Sequence, residues 1–110
     1  MSNLYSAEQD ETVKKALDER RVLEGENLET VFVEDAIHWA SVYEELIDFK
    51  ERLLGEMGRN LPQLPQVAAT EIKTVDMAIT ERQMNRYKHR LRFWKARLGQ
   101  LDGERQTASR

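Results

Sequence analysis

Mostly apolar side chains recur at alternating steps of three and four residues along the last third of the chain. They are Met77, Thr80, Met84, Tyr87, Leu91, Trp94, Leu98 and Leu101. A repeat of about 3.5 residues places such side chains along one stripe of an α-helix, which is typical of a helix that packs lengthwise against another helix. The pattern therefore predicts a long C-terminal helix over about residues 66–101.

The apolar pattern of residues 30–58 is wider and predicts a central helix. Its apolar positions are Ala36, Trp39, Ala40, Val42, Tyr43, Leu46, Ile47, Phe49, Leu53, Leu54 and Met57. They occupy four of the seven positions of a heptad. A helix with a single neighbour needs about two such positions. The central helix is therefore expected to have at least two neighbours.

Two breakers separate the predicted helices. Gly25-Glu26-Asn27 precedes the central helix, and Gly58 to Pro65 contains two prolines that do not fit a helix interior. Before the first breaker, a capping box over residues 6–9 and a thin apolar stripe predict a shorter helix over about residues 7–25. The short second breaker predicts that the central and C-terminal helices form an antiparallel hairpin.

The early part of the C-terminal helix has its own apolar phase, given by Ala68, Ile72, Val75 and Ile79. The offset from the later stripe predicts a stutter, or a change of neighbour, near residues 77–80. Gly103 is expected to end the helix. The predicted fold is therefore all-α, with three helices in one domain over residues 1–102 and a disordered tail over residues 103–110.

The apolar surface left on the hairpin predicts self-association. The N-terminal helix has too few apolar residues to cover both long helices, so the expected assembly is a homodimer in which two coiled-coil-like hairpins form a helical bundle.

Charge is distributed unevenly along the 110 residues, whose net charge is −3. Residues 1–60 contain 15 acidic and 7 basic side chains, whereas residues 61–110 contain 5 acidic and 10 basic ones. An acidic half followed by a basic half predicts charge pairing within the fold or between copies. The chain has no cysteine, no recognisable secretory signal and no apolar run long enough to cross a bilayer, so a cytoplasmic location without a membrane partner is expected.

The basic side chains of the C-terminal helix are the main candidates for contact with a partner. This basic face consists of Arg82, Arg86, Lys88, Arg90, Arg92, Lys95 and Arg97. Arginine favours bidentate contact with carboxylate or phosphate. Three readings stay open: salt bridges within or between subunits, an acidic protein partner, and nucleic acid or another anionic ligand.

A second candidate is an aromatic pocket formed by Trp39, Tyr43, Tyr87 and Trp94, although these positions also suit a helical core. No catalytic residue, metal site or cofactor is predicted, because no phosphate loop, nucleophile motif or repeated carboxylate–histidine motif is present. The predicted function is a small, non-enzymatic helical module that acts as an adaptor or regulator by docking a partner. The alternative is a nucleic-acid or nucleotide-binding regulator that uses the basic face.

Overall fold

The computed structural model describes residues 20–108 together with Lys14 and Asp18. This part of the chain is helical and contains no β-strand, which confirms the predicted all-α class. The first long helix is α1 (Val33–Asn60). The second is a continuous helical rod that consists of α2 (Gln66–Glu71), a π-helical turn (Ile72–Asp76) and α3 (Met77–Ala108).

A short connection with two prolines joins α1 to the second rod. Leu61–Gln63 forms a single 3₁₀ turn with Pro62 near its start. Leu64 is extended, as expected for a residue before proline, and Pro65 immediately precedes α2. The prolines therefore end one helix and start the next, where the sequence places the second breaker.

Side chains that cross between the rods show that α1 and α3 are antiparallel. Residue numbers rise on α1 as they fall on α3 in ion pairs that join Glu34 to Arg105 (3.9 Å), Glu44 to Lys95 (3.8 Å) and Glu51 to Lys88 (4.0 Å). These pairs are exposed and contribute little to stability. The acidic and basic halves of the chain thus meet along one edge of the hairpin.

The buried core lies between α1 and α3, in the half of the hairpin away from the proline connection. Small residues and a tyrosine come from α1, and two aromatic residues and a leucine come from α3. The core residues are Ala36, Ala40, Tyr43, Tyr87, Trp94 and Leu101. The last three belong to the heptad stripe, which therefore packs against α1 as predicted.

The π-helical turn lies directly before the predicted change of apolar phase. The backbone of Ile72 and Met77 stays in the right-handed helical region, so the rod is not interrupted. A π turn adds one residue to the helix, which rotates all following side chains by about 100°. This extra residue accounts for the different phases of Ala68 and Ile72 on one side of the turn and Thr80 on the other.

Residues 20–108 contain two long helices, whereas three helices were predicted for the whole chain. Residues 20–32, here named the strap, contain no helix, although residues 20–25 belong to the predicted N-terminal helix. The carboxylate of Asp18 accepts the amide of Arg20 (2.9 Å), and that of Glu26 accepts the amide of Leu23 (2.9 Å). Such local bonds offer the backbone an alternative to the helix. The rest of the predicted N-terminal helix, Lys14 and Asp18 apart, lies outside the described residues.

Two other boundaries differ from the sequence-based expectation. The α1 helix begins at Val33 instead of residue 30 and ends at Asn60. The α3 helix passes through Gly103 and ends at Ala108. A glycine is a weak helix residue but not an obligatory stop, and Arg105 near the C-terminal end of α3 interacts favourably with the helix dipole.

The hairpin and the strap form an elongated, flat molecule. Its principal extents are 65 × 33 × 14 Å, and its radius of gyration is 18.5 Å. A globular domain of this length has a radius of gyration of about 13 Å. Among the described residues, one layer of helices leaves both broad faces of the hairpin uncovered wherever the strap does not lie.

We expect Gly103→Ala to stabilise the protein by about 0.5–1 kcal/mol, because alanine is a better helix residue than glycine. An added Cβ atom has no heavy atom within 4 Å at Gly103 or at Gly99, so both sites accept alanine without a clash. Urea denaturation measures the effect, with Gly99→Ala as the matched control inside the helix. A gain at Gly99 without a gain at Gly103 would show that the helix ends where the sequence suggested.

Candidate functional site

A buried carboxylate joins the strap to both helices. The side chain of Glu26 is fully buried. Its Oε1 atom accepts hydrogen bonds from the Tyr43 hydroxyl (2.6 Å) and the Leu23 amide (2.9 Å), and its Oε2 atom accepts one from the Trp94 indole (2.7 Å). The Nε atom of Arg90 lies 3.7 Å from Oε2. Glu26, Tyr43, Arg90 and Trp94 are named the Glu26 cluster.

The charges in the Glu26 cluster are largely removed from water. The guanidinium group of Arg90 donates a hydrogen bond to the carbonyl oxygen of Arg21 (3.2 Å), whereas its Nε atom is buried without a hydrogen-bond partner. A buried ion pair contributes little net stability, but removal of one partner is costly because the other charge stays uncompensated. The cluster therefore fixes where the strap binds more than it adds stability.

Burial raises the pKa of the Tyr43 phenol above its ordinary value of 10.0, and the hydrogen bond to Glu26 and its negative charge act in the same direction. The nearby positive charge of Arg90 opposes this shift. Tyr43 consequently remains a hydrogen-bond donor to Glu26 over the physiological pH range.

Three arginines of α3 bind main-chain carbonyl oxygens of the strap and of Asp18, two residues before it. Arg86 donates to the carbonyl oxygen of Asp18 (3.3 Å), and Arg90 donates to that of Arg21. Arg97 donates from two nitrogens to the carbonyl oxygen of Thr30 (2.9 and 3.3 Å). Residue numbers rise together on the strap and on α3, so the strap runs parallel to α3, and these arginine contacts do not depend on the side chains of the strap.

The predicted basic face is divided among three environments. Arg86 and Arg90, each 7% exposed, and Arg97 face the strap. Lys88 and Lys95 face acidic residues of α1 at the opposite edge of the hairpin. Arg82 and Arg92 are exposed, and neither forms an ion pair with any residue of the described part of the chain.

The four residues of the predicted aromatic pocket lie near one another, but Glu26 occupies the space between two of them. The rings of Tyr43 and Tyr87 are 5.9 Å apart, and Trp94 is fully buried. Trp39 is half-buried and lies beside Gly25 of the strap. Tyr43 and Trp94 thus direct their polar groups at a carboxylate of the same chain.

Sequence reasoning missed Glu26, which it treated as part of a breaker. The sequence signal for this contact was carried by the residues that donate to Glu26. Tyr43 and Trp94 occupy core positions, and a buried phenol or indole N–H usually requires an acceptor. No polar residue of the apolar stripes supplies an acceptor for both, so an acceptor from outside the hairpin was to be expected.

An apolar stripe on α1 extends beyond the part that the strap covers. Asp35 accepts a hydrogen bond from the Thr30 hydroxyl, and Trp39 contacts the strap near Gly25. Steps of three and four continue the same stripe with Val42, Leu46, Phe49 and Leu53, here named the α1 flank. Phe49 is 53% exposed, whereas Val42, Leu46 and Leu53 are partly buried.

Comparison with protein-family models, curated proteins and solved structures finds no match to this chain. Among the described residues, no group of three metal-ligating side chains comes together. None of the helices in this range has the length and apolar content needed to cross a membrane. The Glu26 cluster and the α1 flank are therefore the candidate functional features of the described residues.

We expect Glu26→Ala to destabilise the protein by about 3–5 kcal/mol, because it leaves Arg90 as a buried charge without a counterion. Glu26→Gln keeps the size of the side chain and an acceptor oxygen, so its cost is expected to be smaller, about 1.5–3 kcal/mol. Urea denaturation followed by tryptophan fluorescence measures both. Glu29→Gln, a neutral substitution at an exposed strap residue, is the control and is expected to change stability by less than about 0.5 kcal/mol. Equal effects of all three substitutions would contradict a special role for Glu26.

The raised pKa of Tyr43 predicts a loss of stability at alkaline pH. The unfolded phenol loses its proton near pH 10, whereas the folded one keeps it. This contribution is therefore complete below about pH 10 and decreases as the pH rises further. Urea midpoints measured from about pH 9 to about pH 11 are expected to fall more steeply for the wild type than for Tyr43→Phe. Parallel curves would show that Tyr43 ionises normally.

Proposed function

We propose that this protein is a small, non-enzymatic helical module that acts by docking a protein partner, and that the partner at the α1 flank is a second copy of the chain. The observation that supports this proposal most directly is the exposed Phe49 within a continuous apolar stripe. Burial of such a stripe against a partner is favourable in proportion to the apolar area removed from water. Within residues 20–108, the flat hairpin has no further layer that buries Phe49.

The spacing of the α1 flank suits an antiparallel second copy. Val42 and Leu53 are equally distant from the midpoint between Leu46 and Phe49, so a two-fold axis at this midpoint pairs Val42 with Leu53 and Leu46 with Phe49. Each apolar residue then meets another apolar residue of the flank. Such self-complementarity is what an isologous dimer interface requires.

Charges beside the flank favour the same arrangement. Glu45 lies one helical turn before Phe49, and Arg52 lies one turn after it. An antiparallel copy brings the acidic end of one flank towards the basic end of the other, whereas a parallel copy would place like charges together. Arg52 also pairs with Asp48 of its own helix at 3.1 Å, and this exposed pair can exchange partners at little cost.

The alternative function, binding of nucleic acid or a nucleotide through the basic face, has less support. Arg86, Arg90 and Arg97 already donate to carbonyl oxygens, and Lys88 and Lys95 lie beside carboxylates. Binding of phosphates by several of these groups is expected to require their release from such contacts. A steep fall in affinity for a labelled oligonucleotide between about 50 and 200 mM salt would favour this alternative.

We expect the wild type to form a dimer with twice the chain mass of 12.9 kDa, and Phe49→Glu to be monomeric. Light scattering after size exclusion, at low and at high salt, measures the mass. Ile37→Glu is the matched control, because Ile37 is 52% exposed on the same helix but lies outside the flank. Its dimer is expected to persist.

A wild-type monomer at about 100 μM would overturn the proposed self-association, since stable dimers have dissociation constants well below this concentration. Loss of the dimer in Ile37→Glu but not in Phe49→Glu would place the interface elsewhere. Circular dichroism of each variant excludes unfolding as the cause.

A further inference from the structure

The contacts of the strap resemble those of a bound peptide. Arginine side chains of α3 bind its carbonyl oxygens at Arg21 and Thr30, and the carbonyl oxygen of Asp18 just before it. Two polar residues of the strap, Glu26 and Thr30, are buried. The Thr30 hydroxyl donates to Asp35 at the start of α1, whereas the charged side chain of Glu26 is fully buried between the helices. The groove along α3 therefore recognises main-chain acceptors and a single carboxylate.

The carboxylate seat contains an unused donor. The side chain of Arg90 is 9% exposed, and its Nε atom is buried without a hydrogen-bond partner. This atom lies 3.7 Å from the nearest oxygen of Glu26, beyond hydrogen-bonding distance. Arginine binds carboxylates best through two parallel hydrogen bonds. A carboxylate placed closer to Arg90 would therefore form a hydrogen bond with its Nε atom that Glu26 does not form.

The strap has a weak apolar attachment to the hairpin. Val22 is exposed, as are Val31 and Phe32 at the junction with α1. Leu23 and Leu28 are only partly buried. Among the described residues, the fully buried apolar side chains belong to α1 and α3, which pack on each other directly. The hairpin is therefore expected to remain folded when the strap leaves the groove.

We infer that the strap is an intramolecular ligand, and that the groove beneath it binds an extended acidic segment of a partner protein, with one carboxylate seated between Tyr43, Arg90 and Trp94. Charge complementarity supports this occupant, because the groove presents three arginines and accepts one planar carboxylate. The neutral donors of Tyr43 and Trp94 enclose the seat, which suits a single carboxylate better than a chain of phosphates.

This inference shares with the proposed function only the premise that the protein acts by docking. It uses the groove along α3 and not the α1 flank. Because the strap is tethered, it competes with an external peptide at an effective concentration in the millimolar range. The apparent affinity for a partner is lowered in proportion to the fraction of molecules whose groove is empty. A weaker strap is therefore expected to give tighter binding of the partner.

The test uses the 110-residue chain and a fluorescein-labelled synthetic peptide with the sequence of residues 18–32. We expect the Glu26→Gln chain to bind this peptide about tenfold more tightly than the wild type does, because its own strap competes less well. The Glu29→Gln chain is the matched control and is expected to behave as the wild type. A second peptide, with glutamine in place of Glu26, is expected to bind the Glu26→Gln chain about tenfold more weakly than the first.

Equal binding of the first peptide by the wild-type and Glu26→Gln chains, or no difference between the two peptides, would overturn the inference. Displacement of the peptide by oligothymidylate at the same concentration as by unlabelled peptide would show a general anion site and would overturn it too. Masses measured on the same samples separate the two proposals. If the protein is a dimer but binds both peptides equally, the proposed function stands and this inference is wrong. If the protein is a monomer but distinguishes the peptides, this inference stands and the proposed self-association is wrong.

Hydrogen exchange of the wild type gives a second test that needs no variant. If the strap leaves the groove while the hairpin stays folded, the amides of Leu23 and Glu26 are expected to exchange about a hundredfold faster than those near Trp94, after correction for intrinsic rates. The Leu23 amide is bonded to Glu26, and the Glu26 amide is bonded to the Leu23 carbonyl, so both report on the strap. Equal protection would mean that the strap opens only with global unfolding and would overturn the inference.

Discussion

The burial of one carboxylate organises this structure. A charge removed from water must be paired and hydrogen-bonded. Glu26 obtains hydrogen-bond donors from Leu23 in the strap, Tyr43 in α1 and Trp94 in α3, and Arg90 of α3 supplies the opposite charge. The strap, α1 and α3 can supply these partners together only in the arrangement in which all of them reach the carboxylate of Glu26. Apolar packing between two helices allows sliding by a turn, whereas a buried charge with directional partners does not. The register of the hairpin and the course of the strap are thus linked through a single side chain.

The hairpin was predictable from sequence, and the strap was not. The heptad stripe through Tyr87, Trp94 and Leu101 and the two prolines depend on periodicity and backbone sterics, which are local properties. The change of phase before Thr80 was also visible, although not its form as a π turn. The strap depends on contacts between residues nearly seventy positions apart, as between Arg90 and Arg21. Its acceptors are carbonyl oxygens, which every residue has, and no residue pattern marks them.

The basic face shows why a charge pattern on a predicted helix is an incomplete guide to a site. Seven cations on one helix suggested a single surface, but the helix has neighbours on two sides. Arg90 is turned inward to the strap, Lys95 is turned to α1, and Arg92 is turned to solvent. Basic side chains on one helix therefore have different binding partners, which depend on the side of the helix from which each projects. The position of a basic residue relative to the heptad stripe predicts its environment better than the mere presence of a positive charge on the helix does.

The π-helical turn divides the second rod into two parts that can change independently. The π turn adds one residue between α2 and α3, so the exposed Val67 near the tip is out of phase with the regular repeat that contains Trp94. Deletion of a single codon within Ile72–Asp76 would restore the regular repeat and turn the tip by about 100° while leaving the Glu26 cluster in place. The tip can therefore acquire a new face in one genetic step, whereas the other end of the hairpin is held to one arrangement by its buried charge.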